Sequence, residues 1–304
     1  MRIVSLIPSA TEIVGALGLT GDLVGRSHEC DYPQGVERLP ACTAPKFPAE
    51  GTSYEIDGRV KAILAEGLSV YRVDAELLRD LTPDVILTQS QCEVCAVSLR
   101  DVERAVCEWV GSRPTIVSLE PNSLDDVLCD IGRVAEALGV ADRGAVLRDD
   151  MCSRMDAVAR TADALDARPS VAVVEWIEPL MAAGNWMPEL VRMAGGRNLF
   201  GDAGKHSPWI PIEAVATADP DWIVLTPCGF PIDRARADVV LLEKHDEWRS
   251  LRAVREGRVA IGDGNQFFNR PGPRLVESLE ILAEIFHPEA FAFGHRGGGW
   301  QLLG

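Results

Sequence analysis

The chain has 304 residues and sets 30 Lys+Arg against 46 Asp+Glu, a formal net charge of −16. Such an acidic excess argues against a nucleic-acid partner, which needs clustered Lys and Arg, and against docking on anionic lipid. With 47% hydrophobic and 25% charged residues, the composition is that of a globular protein long enough for two lobes. No run of about 18 apolar residues is available for a membrane span.

Residues 3–7 (Ile-Val-Ser-Leu-Ile) read as a short strand, and Pro8, Ser9, Thr11 and Glu12 interrupt the apolar run before it reaches the length of an export-signal core. Leu39-Pro40-Ala41-Cys42 has no such core before it. The expectation is a cytoplasmic protein whose cysteines are reduced. A helix over residues 12–17 ends at Gly18, and residues 23–25 form a second strand. Residues 40–54, rich in Pro, Thr and Ser, suggest a surface loop, followed by helices over 60–68 and 74–81. Strands are expected at 83–88 and 115–118, and their near-continuous apolar character suits a parallel sheet covered on both faces. Leu124, Val127, Leu128, Ile131, Val134 and Leu138 give a helical stripe closed by Gly139, and a second helical run extends over 141–167 without a breaker. After Pro169 come strands at 171–175, 222–226 and 258–261 and helices over 188–193, 239–247 and 273–286; the tail from 291 has turn composition and reads as loose.

One internal echo organises this list. Thr82-Pro83-Asp84-Val85-Ile86-Leu87-Thr88 matches Asp219-Pro220-Asp221-Trp222-Ile223-Val224-Leu225-Thr226. The reading is an α/β protein of two similar lobes with parallel sheets, joined by one long backbone helix, with a ligand cleft between the lobes. The expected division is an N-terminal lobe 1–140, a backbone helix 141–168, a C-terminal lobe 169–290 and a tail 291–304. Ligands in open α/β sheets lie beyond the carboxyl ends of strands, so the loops there carry the candidate site.

Those loops carry a resemblance. Ser5-Leu6-Ile7-Pro8-Ser9-Ala10-Thr11-Glu12, residues 82–88, Leu119-Glu120-Pro121, Trp248-Arg249-Ser250-Leu251 and Gly257-Arg258-Val259 resemble class III periplasmic-type binding proteins over residues 1–290. His28-Glu29-Cys30-Asp31, Gln91-Cys92-Glu93-Val94-Cys95, Asn185-Trp186-Met187-Pro188 and Phe268-Asn269-Arg270-Pro271-Gly272 are most similar to the signal-less cobalamin-binding proteins among them. The resemblance implies two α/β lobes on a rigid helix, a cobalamin, haem or ferric siderophore ligand, and a protein partner that receives it.

Cys92 and Cys95 have a spacing suited to one metal or to a redox pair, and His28 and Cys30 on another loop are available to complete a tetrahedral site. Zinc, direct cobalt ligation, or two unmetallated thiols at a helix start all remain open here. Trp176, Trp186 and Trp209 fall in loops, where flat aromatic faces suit a macrocycle, or else form core; Trp109, Trp222 and Trp248 sit on regular elements. Glu175, Asn185, His206, Ser207, Asn269 and Arg270 match a propionamide rim and phosphate, each with a bland alternative as a cap or turn residue. Ser9 at a helix N-terminus, Glu29 and Gln91 are expected to reach the same rim. His206 and His28 are the histidines in candidate loops, whereas His245 and His287 read as surface. The chain has no Gly-x-Ser-x-Gly, Walker, His-Glu-x-x-His or Gly-x-Gly-x-x-Gly motif. The expectation is therefore non-catalytic corrinoid binding; the alternatives are a metal-dependent or thiol enzyme, or a redox sensor, built on His28, Cys30, Cys92 and Cys95.

Overall fold

The computed structural model describes residues 1–66, 69–90, 99–107 and 113–304. Gln91, Cys92, Cys95 and Trp109 lie outside them. The chain forms two compact units: Met1–Gly51, Gly58–Pro121 and Asp125–Asp150 make the first, and Thr52–Asp57, Asn122–Leu124 and Met151–Gly304 the second.

The first unit is built on β1 (Ile3–Ser5), β2 (Leu23–Arg26), β5 (Val85–Gln89) and β6 (Thr115–Leu119), all parallel in the order β2-β1-β5-β6. Every residue of β1 and β5 is buried, as strands covered on both faces must be. Pro8 opens α1 (Pro8–Ala16), the one turn of a helix where its missing N–H leaves nothing unpaired. Residues 40–54 are not one loop. β3 (Thr43–Pro45) pairs antiparallel with β4 (Tyr71–Val73), and α2 (Ser53–Ala65) starts earlier than the apolar pattern suggests. Asp74 accepts the Leu77 N–H at 2.9 Å and so caps α3 (Ala75–Leu81). Then come α4 (Leu99–Cys107), α5 (Leu124–Ala137) and α6 (Ala141–Asp163).

The long helix α6 has 23 residues, about 35 Å, and belongs to the first unit up to Asp150 and to the second from Met151. It stops short of residue 167 for a local reason. Arg168 folds back and donates to the carbonyls of Ala162 and Leu165 at 2.9 Å each, while Pro169 keeps Arg168 itself out of helical geometry.

The second unit restarts the pattern: β7 (Ser170–Trp176), β8 (Met181–Ala182), α7 (Met187–Met193), β9 (Arg197–Asn198), α8 (Ile212–Ala218), β10 (Trp222–Leu225), α9 (Ile232–Asp238), α10 (Asp246–Ser250), α11 (Arg252–Arg255), β11 (Val259–Gly262), α12 (Leu275–Phe286) and β12 (Trp300–Leu302). β7, β10 and β11 are mutually parallel, with β12 antiparallel on β11. The helix expected over 239–247 is instead a 3₁₀ run Val239–Lys244 and α10, broken by extended His245.

The sequence echo has the same local structure in both units. α3 and α8 each end on a left-handed non-glycine residue, Thr82 (φ 41°) and Asp219 (φ 40°), followed by Pro-Asp. Asp84 accepts the Arg2 N–H at 2.7 Å and returns its own N–H to Arg2 O at 2.8 Å. Asp221 accepts the Ser170 N–H at 2.8 Å and its hydroxyl at 2.7 Å, and donates to Ser170 O at 2.9 Å.

The tail is not loose. It runs back along α12, a helix buried nearly all round that carries two buried carboxylates. Glu284 accepts from Gly294 N (2.6 Å) and from Trp300 Nε1 (2.8 Å); Glu280 accepts from His295 Nε2 and Arg154, both at 2.8 Å. The pairing of Trp300 with Glu284 spans 16 positions, outside any local sequence pattern. His287, expected at the surface, is buried, and desolvation lowers its pKa.

Two measurements check this. Asp221→Ala should lower unfolding free energy by about 2 kcal/mol in urea titration, since it orphans the buried Ser170 N–H. Hydrogen bonding to Glu280 raises the His295 pKa, while the His295 and Arg154 bonds outweigh burial and lower that of Glu280. The histidine's contribution is complete below its ordinary value near 6.5 and is lost as pH rises through the raised one. Urea midpoints of the wild type should therefore fall over that alkaline step, and those of His295→Gln should not.

Candidate ligand-binding site

In the first unit the carboxyl edge of the sheet is built from the residues just after β1, β2, β5 and β6. After β1, Ser5 and Thr11 hydroxyls bond to each other at 2.8 Å, and Thr11 Oγ1 lies 3.0 Å from Cys30 Sγ. Ser9 is buried, and its Oγ has no hydrogen-bond partner among the described residues. After β2, Arg26 folds inward and donates to the carbonyls of Leu39, Ser27, His28 and Glu37 at 2.8–3.2 Å. His28 Nδ1 sits 2.8 Å from Thr43 Oγ1, and burial, with the Arg26 charge adding to it, pushes its pKa down to about 4. His28 Nε2 and Glu29 Oε1, 3.9 Å apart, are thus not an ion pair at neutral pH.

After β5 and β6 lies a network that motif reading missed. Ser118 donates to Ser90 (2.9 Å), Ser90 to Glu120 (3.0 Å), and the Glu120 N–H to Asp130 (3.0 Å), which also accepts from Arg133 (2.8 Å). Asp130 is buried, and desolvation raises its pKa against those bonds. The signal for this network was only the polar rim Ser118, Glu120 and Asp130 within otherwise apolar segments.

The candidate metal ligands do not assemble among the described residues. No group of three or more His, Cys, Asp or Glu is placed there to hold an ion. Cys30 faces the Thr11 hydroxyl and His28 faces Thr43, while Cys92 and Cys95 lie outside the described residues. A recess of about 620 Å³ beside Leu17, Gly18, Arg143 and Val146 lies at the far end of α1 from the carboxyl edge and is no part of this site.

In the second unit several candidates do come together. Ser207 Oγ donates to Glu175 Oε2 at 2.7 Å and accepts the Gly184 N–H at 3.0 Å. The backbones approach closely here: a Cβ on Gly184 would stand 2.4 Å from Lys205 O. Asn185, left-handed at φ 53°, donates its N–H to that same oxygen at 2.7 Å. Trp176, half-buried, donates to Glu178 O at 3.1 Å and meets Phe230 edge-on.

Other candidates have structural roles. Trp186 is 6% exposed, and its Nε1 donates to Phe268 O at 2.8 Å, so it is core rather than an open stacking face. Asn269 uses its amide nitrogen on Thr226 O and Gly264 O, which closes the loop after β11. Arg270 is buried against Asn265 at 3.1 Å. His206 is exposed, with Nδ1 3.0 Å from Ser207 O. Trp209 is 53% exposed.

Residues 3–265 match the family model for periplasmic binding proteins. The chain belongs to that family. A Bacillus subtilis ABC transporter substrate-binding lipoprotein is 26% identical over 298 residues, covering 95% of this chain and 81% of that protein. A cobalamin-binding protein of Halobacterium salinarum is 24% identical over 291 residues, 94% of this chain and 69% of its own. The crystal structure of a periplasmic haem-binding protein from Pseudomonas aeruginosa superposes with TM-score 0.71 at 25% identity, covering 95% and 93% of the two chains. The chain is thus a two-lobe α/β protein of the periplasmic binding protein family.

The expected cytoplasmic location is overturned. The Bacillus subtilis relative is a lipoprotein and the Pseudomonas aeruginosa structure is of a periplasmic protein, which points away from the cytoplasm. Composition carries no mark of compartment, and the reducing environment assumed for the cysteines goes with the old location.

Trp186→Phe tests the core assignment. It leaves Phe268 O without a partner in a dry site and should lower unfolding free energy by about 1–3 kcal/mol, read as a drop in Tm.

Proposed function

We propose that the cargo is a corrinoid, taken up by the loops at the carboxyl edges of the parallel strands. The observation that carries this reading is the state of the arginines there. Arg26 gives its N–H groups to backbone carbonyls, Arg270 is buried against Asn265, Arg234 lies 3.9 Å over the Phe230 ring and Arg274 5.3 Å over Phe267. Each guanidinium is thus engaged within the protein. The side chains placed at the strand ends are carboxylates and neutral donors: Glu29, which accepts from Tyr71, Glu120, which accepts from Ser90, Glu175, which accepts from Ser207, and the uncharged His28.

A ligand rimmed by carboxylates would meet like charge here, in a chain of net charge −16. A rim of neutral amides would instead donate to these carboxylates, and charge-assisted bonds of that kind are worth roughly 1.5–3 kcal/mol. Trp209 and half-buried Trp176 offer aromatic surface to the ring, where burial is worth about 25 cal/mol per Å² before association costs. The cobalamin-binding relative supports the same ligand class.

Haem is the second reading, favoured by the Pseudomonas structure and by nothing in the charge pattern. Parallel calorimetric titrations with cobalamin, haem and a ferric siderophore decide between them. Cobalamin should bind at about micromolar Kd or tighter, and haem and a ferric siderophore of the anionic catecholate type at least tenfold more weakly. Haem or siderophore binding with no heat from cobalamin would overturn the proposal.

A further inference from the structure

The histidine after β2 has one nitrogen anchored and the other open. His28 donates its backbone N–H to Thr43 Oγ1 at 3.1 Å, and ring Nδ1 lies 2.8 Å from the same oxygen. Thr43 in turn donates its one hydroxyl proton to Ser27 Oγ at 3.2 Å, which also accepts the Glu29 N–H at 3.3 Å. With that proton directed at Ser27, the Thr43 oxygen can only accept from the imidazole. Nδ1 therefore carries the ring proton and Nε2 the lone pair.

Burial and the Arg26 charge keep the ring neutral, with its pKa pushed down to about 4. Nε2 makes no hydrogen bond among the described residues, and the side chain is 24% exposed. The Tyr71 ring, 5.2 Å away, packs against the imidazole and fixes its plane, while the Tyr71 hydroxyl donates to Glu29 at 3.4 Å.

Metal-ligating histidines share this arrangement: one ring nitrogen donates to a fixed oxygen and the other is presented. Yet no cluster among the described residues could hold an ion in place. A single imidazole does not retain a free cation, but it can complete the coordination of a metal that arrives already chelated. Imidazole nitrogen also suits late first-row metals better than carboxylate does.

We infer that His28 Nε2 is an axial ligand to the cobalt of the bound corrinoid, with Thr43 as its positioning residue; this rests on the corrinoid reading above. The step is a ligand exchange on Co(III). One Co–O bond to an axial water breaks, one Co–N bond to Nε2 forms, a neutral water leaves, and no electron is transferred. Cobalt whose axial position carries a tightly held cyanide should not make this exchange.

The purified full chain is titrated with aquocobalamin and with cyanocobalamin, following absorbance. For the wild type, the aquocobalamin bands should shift on binding, and aquocobalamin should bind at least tenfold more tightly than cyanocobalamin. His28→Gln should abolish the shift and bring the affinity ratio toward one. Thr43→Val, which removes the acceptor for Nδ1 but keeps the imidazole, should reduce the ratio severalfold with the shift retained at saturation. Binding of both cobalamins by the wild type with equal affinity and unshifted bands, or a shift that persists in His28→Gln, would overturn the ligation and leave the corrinoid reading in place. Binding of neither would overturn both.

Discussion

Each of the two large sheets depends on a carboxylate that ties a central strand to its first. Asp84 bonds to the Arg2 backbone and Asp221 to the Ser170 backbone, in each case by a side-chain bond and a main-chain bond to the same residue. These clamps sit at the amino ends of β5 and β10 and set the registers Ile3↔Val85 and Val171↔Trp222. A one-residue slip would exchange the faces of β1 and β5, buried throughout, and of β7 and β10, buried over most of their length. The left-handed turns at Thr82 and Asp219 deliver Pro-Asp to the clamp, which accounts for a non-glycine residue at positive φ in both units.

Because the strands are covered on both faces, polar chemistry is confined to their ends, and the two ends differ. At the amino ends the carboxylates bind backbone. At the carboxyl ends of the first unit, hydroxyls relay to one another through Ser118, Ser90 and Glu120, and through Thr43 and Ser27, so that each ends on a group held at a fixed angle. Arg26 has its donors taken up at this edge: its guanidinium ties the backbone of the β2 loop together, while its charge helps to keep His28 neutral.

Much of this was legible in the sequence. The apolar runs at 83–88 and 171–175, the stripe from Leu124 to Leu138 and the Pro-Asp echo all report local physics, and the structure has these elements within a few residues. What was not legible rests on partners far along the chain. Trp186 looked like a loop aromatic because nothing near it announces Phe268 O, 82 positions away. The tail looked loose from its turn composition, and nothing in it announces its anchors Glu280 and Glu284, buried acceptors on the preceding helix. The end of α6 depends on a single arginine turning back over its carbonyls, a rotamer choice no periodicity encodes. The thiols of Cys92 and Cys95 lie outside the described residues, whereas Cys30 and His28 turn toward hydroxyls rather than toward each other.

Two histidines show how environment divides one side chain between structure and chemistry. His295 meets a buried carboxylate at 2.8 Å, so the charged form is favoured and its proton is part of what holds the tail. His28 meets a hydroxyl whose own proton points elsewhere, and partial burial together with the neighbouring guanidinium disfavours the charged form. In the first, the fold favours the proton and supplies its acceptor. The second is a neutral base with a lone pair that the fold orients and that no described residue uses. Supporting such a group costs a desolvated imidazole and three aligned hydrogen bonds, and core packing alone would not select it over an apolar residue at that position. An oriented, unused lone pair at the carboxyl end of a parallel strand is what a binding protein requires when the electrophile is brought in by the ligand.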